Sequence, residues 1–229
     1  MKVNNKVSLV LLFLVALCQA ATGQDLKEEL IKMKEQYGDM SSLHVVMLVS
    51  VFDEQTASSP YYKEKVEIKK QDESFLYVLT GNEMLLNKKY MVMVDKSEKQ
   101  IVWSERDPQA ETAWRQGLSF DLDSILSYYH QATWLKTENG IAHYSVLQKE
   151  GPVDWVYLFI DTNTHLIHKM EYHYKNDQFV SILFKEFKTH PVFTEATFDE
   201  KRYVVNERGE FKASGVFRQY RVTEVTMNQ

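Results

Sequence analysis

The 229-residue chain has one cysteine, four prolines and eight glycines, and each scarcity excludes something. Glycine and proline are too few for a collagen-like repeat, and one cysteine cannot build a disulfide framework. With 44% hydrophobic and 13% aromatic residues, the chain is too apolar to stay disordered. No apolar run approaches the roughly 20 residues that cross a bilayer as a helix. The longest, 7–18, is interrupted only by Ser8. It follows Lys2 and Lys6 and precedes small residues, which is the three-part layout of a secretory leader. Ala21-Thr22-Gly23 before Gln24 is one candidate cleavage site, and Cys18-Gln19-Ala20 before Ala21 is a second. Residues 1–23 are expected to be a signal peptide and 24–229 one β-rich domain, soluble in the periplasm or outside the cell. The alternative, a lipid anchor on Cys18, meets Leu17 where a small residue is wanted.

Cleavage before Gln24 removes Cys18, so thiol nucleophiles, thiolate metal ligands and disulfides are excluded from the mature protein. Losing Lys2 and Lys6 takes Lys plus Arg from 27 to 25 against 32 Asp plus Glu, and the formal charge moves from −5 to −7. An acidic protein lacks the basic surface that displaces counterions from nucleic acid, so no nucleic-acid partner is expected.

Asp25 and Glu28 have capping-box spacing, Leu26, Leu30, Met33 and Tyr37 recur at helical intervals, and Gly38 stands where a helix ends. The spacing predicts one amphipathic helix with Lys27, Glu28, Glu29, Lys32 and Glu35 toward solvent. From Leu43 the period changes to two. Strands are expected over 43–53, 61–71, 74–80, 83–87, 89–95 and 100–104, separated by turn-like segments. Links this short imply antiparallel meanders. Asp107-Pro108 then opens a short helix containing Trp114, and Leu122, Ile125, Leu126 and Tyr129 share one face of a second. Further strands are expected over 132–137, 141–149, 154–161, 166–175, 179–189, 202–206 and 215–226. Asn139-Gly140 reads as a hairpin turn.

The fold class is therefore mainly β (α+β), with an N-terminal helix and two short central helices. Several strands, among them 45–52, 90–94 and 153–160, are apolar on both faces. Three helices cannot cover a dozen strands, so a curved sheet wrapping an apolar core or cavity is expected, with the central helices as a lid.

Histidines 165, 168 and 173 lie close in sequence, but His168 and His173 fall on opposite sides of a strand, and no metal site is expected. Asp121 and Asp123 read as helix-start residues. Nucleophile elbows, zincin motifs, phosphate loops and CxxC pairs are all missing, so neither catalytic residues nor a cofactor are assigned. The apolar residues are the informative ones. Met33, Met47, Met91, Met93 and Met170 have adaptable side chains suited to irregular apolar ligands. Trp103, Trp114, Trp134 and Trp155 combine large rings with a polar edge, and Trp114 is the lid candidate. Apart from Trp134, they form with Val49, Tyr90, Leu122, Ile125 and Tyr129 the candidate lining of an apolar cavity.

The order of elements resembles the periplasmic lipoprotein-carrier superfamily, which contains LolA-like carriers and LolB-like outer-membrane receptors. The opening helix and apolar strand of 25–51 carry the likeness. So does the hairpin Asn87-Lys88-Lys89-Tyr90-Met91-Val92-Met93-Val94-Asp95-Lys96-Ser97-Glu98-Lys99-Gln100-Ile101-Val102-Trp103. The resemblance implies an incomplete antiparallel barrel, a helical lid and a cavity that takes a lipid acyl chain or lipoprotein, without covalent chemistry. Members of the group carry an arginine on an early strand, and 43–52 has none. An alternative remains: an envelope interaction or assembly module using the sheet as a scaffold, with the polar stretch 193–215 as its contact surface.

Overall fold

The computed structural model describes residues 25–38, 41–106 and 129–225. The expected signal peptide, Trp114, Leu122 and Ile125 lie outside them; Tyr129, expected on the second central helix, instead opens a strand, and only its backbone is described. Helix α1 spans Leu26–Gly38. Asp25 caps it, its Oδ1 accepting from the Lys27 N–H at 2.9 Å. Strands follow as β1 (Ser42–Phe52), β2 (Tyr62–Gln71), β3 (Ser74–Val78), β4 (Asn82–Leu86), β5 (Tyr90–Asp95) and β6 (Gln100–Glu105). After the central segment come β7 (Tyr129–Glu138), β8 (Ile141–Gln148), β9 (Val153–Asp161), β10 (Ile167–Tyr174) and β11 (Phe179–Thr189). The chain ends in β12 (Val204–Glu207), β13 (Glu210–Ala213) and β14 (Arg221–Glu224), with three short 3-10 turns between β11 and β14.

Twelve strands form one sheet in the order β14-β6-β5-β4-β3-β2-β1-β11-β10-β9-β8-β7, while β12 and β13 pair separately. Two meanders thus meet at β1 and β11, whose ladder runs from Leu43 opposite Thr189 to Phe52 opposite Phe179. Among the described residues the sheet does not close, since β14 and β7 stand at its two ends. This is the expected open antiparallel sheet with a helix, with one exception: β14 runs parallel to β6. The stretch expected to be one strand over 215–226 is a 3-10 turn at Gly215–Phe217 followed by β14.

Side-chain direction decides where the core lies. Met47, opposite Phe184 and Val66, and Met170, opposite Ile182 and Leu158, point to what we call the first face. Over β8–β10 this face is covered by α1. Leu26, Leu30 and Met33 pack there against Tyr144, Val146, Val156, Leu158 and Ile160. A bulge at His168 keeps both Ile167 and Met170 on the core side, so the strict alternation expected across 166–175 is broken.

The second core lies on the other side of the sheet. Leu76, Leu85, Val92, Val94, Ile101 and Trp103 of β3–β6 face the opposite way and are covered by Tyr203, Val204 and Phe217 of the C-terminal segment. Tyr203 is fully buried, its hydroxyl donating to Glu83 Oε2 at 2.5 Å. Asn87 ties the same segment down, its Nδ2 donating to the Phe198 carbonyl and to Glu200. The polar composition of 193–215 thus conceals a structural element whose few apolar residues point inward. One sheet carries two cores, on opposite faces of its two halves.

Candidate functional site: the first face of the β1–β6 half

Neither α1 nor the C-terminal segment packs on the first face of β1–β6. Registers without a bulge align its side chains in rows across the strands. One row runs Ile68, Tyr77, Met84, Met93, Val102. Its neighbour runs Lys70, Phe75, Leu86, Met91, Ser104. Met47 and Val49 of β1 extend the same face beyond Val66 of β2. Leu86 is buried, whereas Met93 keeps 43% of its surface exposed. The face therefore combines a packed floor with reachable, flexible thioether side chains. Burial pushes the Tyr77 phenol above its ordinary range, so it stays a neutral donor within this surface. Ser104 contributes a buried hydroxyl without a hydrogen-bond partner.

The candidate residues divide between the two faces. Met47, Val49, Met91 and Met93 share the first face of β1–β6, and Met170 lies on the part of that face covered by α1. Met33 is buried on α1 as a core residue. Tyr90 and Trp103 point the other way and are packed with Phe211 of β13, the Trp103 and Phe211 ring centroids lying 3.9 Å apart. They fill the second core and cannot line one surface with Met91. Tyr90 and Met91 are adjacent in a strand, so that division follows from alternation alone. Trp155 is also on the second face, opposite His173, and 41% exposed. Trp134 packs at the edge of the α1 core, its indole N–H donating to Thr137 Oγ1 at 3.3 Å. Ile68, Phe75, Tyr77, Met84 and Val102 were not singled out from the sequence. The signal available was parity: counting back through the turns sets Met84 opposite Met93.

The polar groups serve structure. Glu29, expected at the solvent side of α1, is buried; its carboxylate meets Lys32 Nζ at 2.8 Å and His165 Nδ1 at 2.9 Å. Burial raises the Glu29 pKa, and the contacts with Lys32 and His165 outweigh it, so the group sits below its ordinary value. His44 and Lys69 meet on Glu67, at 2.8 and 3.0 Å, on the second face. His173 stacks on Phe179 at 5.2 Å and meets Tyr157 edge-on at 5.0 Å. Among the described residues no group of three or more His, Cys, Asp or Glu side chains is arranged to hold a metal. No helix among them is long and apolar enough to cross a membrane.

No family model matches the chain, and no curated protein matches it in sequence. Among solved structures it is similar to an uncharacterized conserved protein from Thermus thermophilus, with a TM-score of 0.48 and 10% identity over 88% of this chain and 100% of that one. It is similar to lipoprotein LppX of Mycobacterium tuberculosis, with a TM-score of 0.45 and 10% identity over 74% of this chain and 98% of that one. A LolA superfamily protein from Nitrosomonas europaea shows a TM-score of 0.33 and 11% identity over 75% of this chain and 96% of that one. These are likenesses of fold alone.

Proposed function

We propose that this protein is an exported, non-catalytic binding protein that shelters a lipid acyl chain, or another apolar ligand, on the first face of β1–β6. The observation that supports the reading is the row Ile68-Tyr77-Met84-Met93-Val102, apolar across five neighbouring strands. At a strand spacing of about 4.8 Å the row extends about 19 Å, comparable with a long fatty-acyl chain. Covering such a chain would contribute about 0.8 kcal/mol per methylene before the cost of immobilising it. The methionines would let the surface adapt to different chains. In this reading the leader 1–23 directs export and is removed before Gln24.

Native mass spectrometry of the protein expressed with its leader tests both parts. The expected result is co-purified lipid on a chain beginning at Gln24, displaced in a Met84→Lys/Met93→Lys variant that keeps its thermal midpoint. A lipid-free protein that takes up no fluorescent fatty acid would refute the binding reading. A diacylglyceryl group on Cys18 would replace the soluble form with an anchored one.

A further inference from the structure

The two ends of the sheet are treated differently. At one end β7 is interrupted by two register shifts, between Tyr129 and Gln131 and between Trp134 and Lys136. Bulges in an edge strand disrupt the regular ladder that another chain would need for pairing. At the other end β14 runs without a bulge from Arg221 opposite Gln100 to Glu224 opposite Trp103. The Arg221 N–H donates to the Lys99 carbonyl and the Val225 N–H to the Trp103 carbonyl, both at 2.9 Å. In a parallel ladder, residues 221, 223 and 225 therefore use their backbone groups on β6, and the N–H and C=O of Val222 and Glu224 point outward. Among the described residues no second strand lies beside β14.

Beside this edge lies a groove of about 740 Å³ between the β12–β13 hairpin and β14, lined in part by Val205, Phe211, Tyr220 and Val222. Its charged lining includes Glu207 and Lys212, which pair with each other at 2.8 Å, and Arg218. With Glu207 and Lys212 neutralising one another, Arg218 gives the groove a net positive charge. Val216 and Val225, flanking the strand, are 87% and 43% exposed. We propose that this edge is a docking site for an extended peptide segment of another protein, which adds a strand to β14 and sets an acidic residue near Arg218. Backbone bonds to Val222 and Glu224 would supply the register, and the groove would take an alternate apolar side chain. This inference is independent of lipid binding on the first face.

The probe is a fluorescein-labelled eight-residue peptide of alternating valine and threonine ending in two glutamates, titrated onto the mature chain from Gln24. We expect saturable anisotropy, with slowed amide exchange at Val222 and Glu224. Glu224→Pro, which removes an outward N–H and leaves the β6 ladder intact, should weaken binding at least tenfold, while Glu224→Gln stays within about twofold. Arg218→Glu should weaken this peptide and favour one ending in two lysines. If the proline variant loses its native circular dichroism, exchange protection at Val222 and Glu224 in the unmutated protein decides. No binding up to 1 mM peptide, unchanged affinity in a folded Glu224→Pro variant, or protection mapping elsewhere would overturn the proposal. So would self-association abolished by Glu224→Pro, because the edge would then serve a second copy of this chain. Lipid content is not a readout, so failure here leaves the acyl-chain reading standing.

Discussion

Replacing Tyr203 with phenylalanine removes one hydroxyl and leaves a fully buried ring in place. The hydroxyl donates to Glu83 Oε2 at 2.5 Å, and Lys96 holds the other carboxylate oxygen at 2.9 Å. Glu83 exposes only 12% of its side chain, so water does not readily replace the lost donor. A hydrogen bond to a charged group contributes about 1.5–3 kcal/mol, so Tyr203→Phe should cost about 2 kcal/mol at neutral pH. For a chain of this size that is a fall in Tm of about 4–8 °C. The pH dependence has a definite sign. Burial pushes the Glu83 carboxyl up, but its bonds to Tyr203 and Lys96 leave it below the usual glutamate value of 4.5. Its contribution to stability is therefore present above that value and lost as pH falls through the folded one. Urea unfolding of both proteins at pH 7 and in acid measures the gap, which should narrow on acidification. A gap below about 0.5 kcal/mol at pH 7, or one that widens in acid, would refute the idea that Tyr203 anchors the C-terminal segment through Glu83.

Phe211→Ala strips the cover from Trp103 and should cost about 2–4 kcal/mol, with a red shift of tryptophan emission as the check. His165→Ala leaves Glu29 with Lys32 alone; a loss of about 1 kcal/mol and faster amide exchange in α1 are expected, and unchanged exchange would count against the tether. Tyr144 is fully buried with no partner for its hydroxyl, so Tyr144→Phe should raise stability by about 1 kcal/mol, read from urea midpoints. Gly209 adopts φ +93° in the β12–β13 turn with nothing within 4 Å of an added Cβ. Gly209→Ala should therefore cost about 1 kcal/mol through backbone conformation alone, with Gly209→Asn intermediate in thermal melts.

Much of the sheet was legible because its period is two and its turns are short. Helix α1, strand β11 at 179–189 and the Asn139-Gly140 hairpin lie where the pattern put them. Three features were not legible, each for a physical reason. Glu29 looked like a solvent residue because periodicity cannot see a histidine 136 positions away. The C-terminal segment looked like surface because 3-10 turns leave no apolar period, yet Tyr203, Val204 and Phe217 are core. The parallel pairing of β14 depends on a contact with β6, some 120 residues earlier. For the candidate site, alternation could already have separated Met91 from Tyr90; joining Met84 and Tyr77 to the same row needed the register. The expected central helices fall outside the described residues except at Tyr129, which opens β7 instead of closing the second helix.

The two-sided core has a temporal consequence for a chain synthesised from its N-terminus. Helix α1 is made first, but the strands it covers, β8–β10, come more than a hundred residues later. Strands β3–β6 are made early, but their cover, Tyr203, Val204 and Phe217, arrives almost last. Each half thus waits for the other end of the chain, and Leu76, Leu85, Val92, Ile101 and Trp103 stay uncovered until synthesis is nearly complete. A nascent chain with such a waiting period invites holding chaperones. Truncation just before Tyr203 should therefore yield an aggregating sheet and not a smaller folded unit.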